Sequence, residues 1–191
     1  MCPRCLFIFF ISLIESENTM LSNLSALTIA SQQRQTPLDI YVFCGSDHFD
    51  RSIFIPITNE PYLWNKPCGG MWSSPVNSDN TWEDWCRGNG FKLEKLNKQF
   101  RFILTERSRV LRIKYNKDLD DLYSQGYKRS DFDQYSHLLD DDLYYLDFEK
   151  ILANGYDAIQ VTITDETYFS LYGWDCDTLL VLNPDSVIEI E

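Results

Sequence analysis

The chain has 191 residues, 44% hydrophobic and 15% aromatic, with a formal net charge of −12. That length suits one domain with a sizeable buried core. The acidic balance, unbroken by any basic cluster, argues against direct nucleic-acid binding through a broad cationic face. It leaves room for a small anionic ligand held by a few local donors.

Residues 1–37 read as a poorly ordered lead-in. Leu6–Ile14 is strongly apolar behind Arg4, but a bilayer span needs about 20 apolar residues, so no membrane association is expected from it. Glu15, Ser16, Glu17 and Asn18 offer no small-x-small cleavage site, so an export signal ranks behind a translation start at Met20. A cytoplasmic protein is the expectation, with secretion the alternative if residues 1–19 are genuine. Cys2 and Cys5 form one CxxC without a second, so no zinc site is expected. Cys44, Cys68, Cys86 and Cys176 read as buried thiols of a reducing compartment.

A single domain is expected over residues 38–191. Leu38–Cys44 is β-branched and aromatic and stops at Gly45-Ser46, which reads as a strand. Ser52–Thr58 is a second apolar run, but Pro56 confines it to an edge strand or an extended loop. Gly69–Ser74 reads as extended, closed by Pro75. Asn80 and Glu83 have the spacing of a capping box for a short helix through Trp82 and Trp85, ending near Gly88. Gln99–Thr105 and Arg109–Tyr115 read as strands, and Lys117–Ser124 as a helix stopped by Gly126.

From Arg129 to Leu146 the chain is acidic and tyrosine-rich, including Asp140-Asp141-Asp142, and reads as a solvated loop or helix face. Phe148–Ala153 reads as a helix capped by Asp147 and stopped by Asn154-Gly155. Tyr156–Ile163 is a strand, Thr164–Gly173 a loop, and Thr178–Leu182 and Val187–Ile190 are strands. With no βαβ rhythm, GxGxxG or GxxxxGK[ST], the expected class is α+β. Its mixed, mostly antiparallel sheet, single or split into two packed sheets, carries a few short helices.

Two stretches carry chemistry. In Asn65–Cys86 a Gly69-Gly70 pair stands among Trp72, Trp82 and Trp85. Such a pair suits close approach to the main chain, and the indoles suit the wall of a pocket for a planar ligand, against the plainer reading of core packing. In Tyr172–Thr178, Asp175 and Asp177 alternate ahead of an apolar strand. Alternation in an extended chain sets both on one face, where like charges raise one another's pKa. His48 and His137 are the only histidines, and His48 reads as a loop residue with local hydrogen bonds.

The order of these features resembles the ADP-ribosyltransferase fold family. Phe43-Cys44-Gly45-Ser46 is similar to that family's first strand end, Gly70-Met71-Trp72-Ser73-Ser74 to its hydroxyl-rich second segment, and Asp175-Cys176-Asp177 before Leu179 to its acidic motif. Cys44 stands where the family carries His or Arg, and Asp177 where it carries Glu. The resemblance implies NAD as substrate, cleaved at the nicotinamide–ribose bond with transfer of ADP-ribose to an unknown protein or small-molecule acceptor. It implies Asp177 as the carboxylate opposite the oxocarbenium-like charge and Asp175 as the acceptor's base. Cys44, Gly45 and Ser46 would hold the amide side of the ligand. Gly70, Trp72, Ser73, Ser74, Tyr172 and Trp174 would line the ring and ribose. Two alternatives stand beside it: an inactive binding domain of the same fold, and an acidic decoy of a nucleic-acid-binding protein using Asp140–Asp142.

Overall fold

The computed structural model describes residues 39–59, 65–130 and 143–191. The lead-in, and the acidic run with Asp140–Asp142 on which the decoy reading rests, lie outside them. Among the described residues seven strands join one sheet in the order β4-β5-β6-β2-β1-β3-β7. They are β1 (Tyr41–Cys44), β2 (Met71–Pro75), β3 (Gln99–Leu104), β4 (Val110–Ile113), β5 (Ala158–Val161), β6 (Thr178–Val181) and β7 (Val187–Ile190). The helices are α1 (Trp82–Asn89), α2 (Asn116–Ser124), α3 (Phe148–Ala153) and α4 (Asp165–Ser170). The α+β class and the mostly antiparallel sheet agree with the sequence.

One pair makes the sheet mixed, as expected: β4 and β5 are parallel. A parallel pair needs a long crossover, and the chain between them carries α2 and α3. The acidic run between those helices hid this βαβ-like unit from a search for regular alternation.

Strand β2 joins the two halves of the sheet. Its first three residues pair with β6 (Met71↔Val181, Trp72↔Leu180, Ser73↔Leu179), while Ser74 and Pro75 pair with Val42 and Tyr41 of β1. Side chains of a strand alternate between faces. One face of the sheet packs Tyr41, Met71, Phe100, Phe102, Leu179 and Val181 into a core. The other packs Leu180 and Leu182 with Ile151, Phe148 and Trp174, and Trp72 lies against that second cluster.

The glycine pair before β2 has a tertiary reason. Gly69 and Gly70 have φ of +78° and +69°, and a Cβ would stand 2.7 Å from the Ile55 carbonyl oxygen and 2.6 Å from Leu180 Cδ1 respectively. The close approach expected there is made by the chain itself, since Gly70 N–H donates to Ile55 O at 2.8 Å. Ser52–Thr58 is accordingly an extended connection opened by a 3-10 turn, with a β-bridge from Thr58 to Cys68 in addition.

Local capping decides the helices. The N-cap of α1 is Thr81 with Asp84 as its reciprocal partner, one residue beyond the expected Asn80 and Glu83. Glu83 instead accepts from Arg87 at 2.7 Å and Gln99 at 3.0 Å. Asp147 caps α3 as expected, accepting from Lys150 N–H. Helix α4 lies where a loop was expected. Its sequence, DETYFS, has no apolar stripe, and Tyr168 and Phe169 are exposed. It forms because the Thr164 hydroxyl accepts from Thr167 N–H and opens the turn. Among the described residues no helix is long and apolar enough to cross a membrane, and no cluster of His, Cys, Asp or Glu is arranged to hold a metal.

Candidate functional site

Where β2 ends beside the start of β6, the second face of the sheet opens into a cavity of about 170 Å³. Its apolar walls are Trp72, Trp82 and Trp174, and Gly173 borders it. The polar groups are Lys66, Ser73, Ser74, Asp175, Cys176 and Thr178. A cavity of roughly 150 Å³ accepts a single benzene-sized ring, so this one takes a ring and not a whole dinucleotide.

The walls are fixed from behind. Trp174 is buried, 4.8 Å from the Trp72 ring centre, and stacks at 6.3 Å on Phe148 of α3. Its indole N–H donates to Asn65 O at 2.7 Å, and that of Trp72 to Gly69 O at 3.2 Å. Trp82 is set by α1: its backbone N–H donates to the buried Ser74 hydroxyl at 2.9 Å, and its ring stacks on Trp85 at 5.0 Å. The Trp85 ring is thus a backing for Trp82. Ser73 donates to Leu179 O at 2.8 Å, so its hydroxyl proton is already used in the sheet.

Two charges face the cavity. Lys66 Nζ lies 3.8 Å from Asp175 Oδ2, with about a third of each side chain exposed, and 5.4 Å from the Trp72 ring centre. Burial lowers the Lys66 ammonium below its usual 10.5, opposed by the neighbouring Asp175 carboxylate. Cys176 is buried with Sγ 3.8 Å from Thr178 Oγ1. Burial pushes its thiol up, opposed by hydrogen bonds from Thr178 and Ser74. Cys44 is half-buried, and burial first, then the nearby Glu83 carboxylate, pushes its thiol up to about 11. Both thiols are therefore held in the protonated form at neutral pH.

The structure divides the expected site. Trp72, Ser73, Ser74, Trp174 and Asp175 meet around one cavity, and they come from both sides of the β2–β6 pair. Asp177 does not join them. Its carboxylate accepts from Ser78 Oγ and from Ile163 N–H, each at 2.8 Å, and its own N–H donates to Asn80 O at 2.9 Å. The expectation that Asp175 and Asp177 share a face is corrected here. The chain bends at Cys176 before β6 begins, so strict alternation does not reach back to Asp175. Tyr172 is 72% exposed and outside the cavity lining.

The end of β1 is also set apart. Gly45 N–H donates to Lys98 O at 2.8 Å, closing the β1–β3 ladder instead of waiting for a ligand amide. Ser46 donates to His48 O at 2.8 Å. Ser46 and Gly70 border a second hollow of about 130 Å³ lined mainly by Phe43, Phe49, Phe54, Met71 and Phe100. His48 lies in a loop as expected, but its ring partner is not local: Nδ1 is 2.9 Å from the carboxylate of Glu189 in β7.

Sequence reasoning missed Lys66 and underrated Cys176 and Thr178. Lys66 stands inside the Asn65–Cys86 stretch, and a cation beside an aromatic-rich segment in so acidic a chain was the available signal. Comparison with protein-family models, curated proteins and solved structures found no match to the chain.

Proposed function

We propose that the cavity receives the nicotinamide–ribose end of NAD and that the chain acts as an ADP-ribosyltransferase-like protein, with Asp175 in the role first assigned to Asp177. The observation that carries this is the meeting of Trp72, Ser73, Ser74, Trp174 and Asp175 in one ring-sized cavity. The second segment supplies Trp72, Ser73 and Ser74 from β2, and Trp174 and Asp175 come from the loop leading into β6, the strand hydrogen-bonded to β2; β1, whose end corresponds to the first segment, pairs with β2 on its other side.

The chemistry then follows from the groups present. Trp72 and Trp174 give flat faces for a cationic ring, whose charge an indole face favours. When the bond from C1′ to the ring nitrogen breaks, its electron pair leaves with neutral nicotinamide and positive charge grows on the ribose. Asp175 is the only carboxylate among the described residues lining the cavity, and a fixed anion there stabilises that charge. An acceptor hydroxyl, amine or water then bonds to C1′ and gives up its proton to solvent. A space of about 170 Å³ leaves the adenosine half of the dinucleotide outside it.

The second reading, a binding domain of the same fold without turnover, is favoured by a specific observation. Asp177 and the Gly45 N–H, both nominated for the reaction, are consumed by the frame. Nicotinamide release from NAD by the full chain, with Asp175→Asn and Trp72→Ala alongside, separates the two. Release that disappears in Asp175→Asn supports the enzyme. Binding of NAD that depends on Trp72 but gives no nicotinamide supports the binder. Absence of both sinks the NAD reading.

A further inference from the structure

We propose that Lys66 is the anion anchor of this cavity, and that it selects a ring carried on a sugar 5′-phosphate over the same ring on an unphosphorylated sugar. The inference rests on the cavity reading above and assigns the part of the ligand that the ring-sized space cannot hold.

Lys66 is the only cation among the described residues lining the cavity, in a chain of net charge −12. Its ammonium is 3.8 Å from Asp175 Oδ2, which is close enough for attraction but too long for a hydrogen bond. Its only other contact of note is the Trp72 face at 5.4 Å. Its three N–H donors thus make no hydrogen bond among the described residues, although burial already opposes its charge. A partly desolvated ammonium with open donors is a receptor for an anion.

The fold keeps a slot for it. A Cβ on Gly173 would stand 3.1 Å from Lys66 Cε and 3.6 Å from Nζ, and Gly173 has φ of +89°. That glycine lets the lysine stem lie along the rim, with its head between the tryptophan wall and Asp175. A ring seated against Trp72 with its sugar toward Asp175 brings a 5′-phosphate out past the rim, where the ammonium is. Asp175 and Lys66, 3.8 Å apart, then serve adjoining groups of one ligand, carboxylate to sugar and ammonium to phosphate. This accounts for a pair held near each other without a hydrogen bond between them.

The test is calorimetric titration of the full chain with nicotinamide mononucleotide, nicotinamide riboside and nicotinamide. The mononucleotide is expected to bind about tenfold or more tighter than the riboside, as one charge-assisted contact supplies. Lys66→Met removes the preference for the mononucleotide over the riboside, and Lys66→Arg keeps most of it. A melting curve of each variant checks its fold, and the wild-type ratio decides the matter if Lys66→Met does not fold. Equal affinity for mononucleotide and riboside in the wild type, or a preference that survives in folded Lys66→Met, overturns the anchor and leaves the ring pocket standing. Binding of none of the three overturns the pocket reading itself.

Discussion

Asp175 and Asp177 are neighbours but one, and the fold gives them opposite tasks. Asp175 faces a cavity, a third exposed, with a loose cationic partner at 3.8 Å. Asp177 is clamped by Ser78 and Ile163 and joins the turn before α1 to the end of β5. A carboxylate satisfied by short hydrogen bonds from the frame belongs to stability. One left with unfilled acceptor sites beside aromatic walls is available to a ligand. The bend at Cys176 is what separates them.

That contrast can be broken in graded steps. Asp177→Ala strands a backbone donor and a hydroxyl, and is expected to lower stability by about 2–4 kcal/mol. A fall in the urea midpoint at unchanged slope would measure it. If the variant is as stable as wild type, the bracket role is wrong. Next comes Ser74→Ala, which deprives Trp82 N–H of its acceptor at a buried site. It should cost about 1–3 kcal/mol in the same assay and loosen the Trp82 wall, seen as a change in tryptophan fluorescence. Asp175→Asn removes only a partly exposed ion pair, so its stability change should stay under about 1 kcal/mol while nicotinamide release is lost. A large drop in melting temperature for Asp175→Asn, with release intact, would reverse the two assignments.

The smallest effect is one of pH. Cys44 has its thiol raised from 9.0 to about 11. Above pH 9 the unfolded thiol gives up its proton while the folded one keeps it, so the unfolded chain binds fewer protons and stability falls as pH rises through about 11. Below pH 9 the contribution is fully present. Denaturation followed from pH 8 to pH 11 should show a shallower decline in Cys44→Ala than in wild type. Alkylation of the native chain at pH 8, mapped by peptide mass spectrometry, should leave Cys44 and Cys176 largely unmodified.

Much of the framework was legible because its causes are local. Phe148–Ala153 announces its own cap in Asp147 and its stop in Asn154-Gly155, and the helix occupies those residues. Val187–Ile190 forms the expected strand, and Gln99–Leu104 all but one residue of another. The apolar alternation of Gln99–Leu104 is a property of neighbours in the chain, and the structure only had to pair it. The cavity's aromatic wall and its pair of serines were likewise visible as residue types, since large flat rings beside small hydroxyls have few common arrangements.

What the sequence could not determine alone was set by distant contacts. Gly69 and Gly70 were plain as a place of close approach, but only the packing of Ile55 and β6 against them says what approaches. Helix α4 follows from one cap in a segment with no apolar period, so its pattern carried no signal. The parallel β4–β5 pair depends on a crossover that composition does not reveal. Lys66 gains its place from the glycine at 173 and the carboxylate at 175, far along the chain. Sequence spacing decides which side chains can alternate. Which of two like carboxylates meets the cavity is decided where strand geometry stops and hydrogen-bond partners from other segments take over.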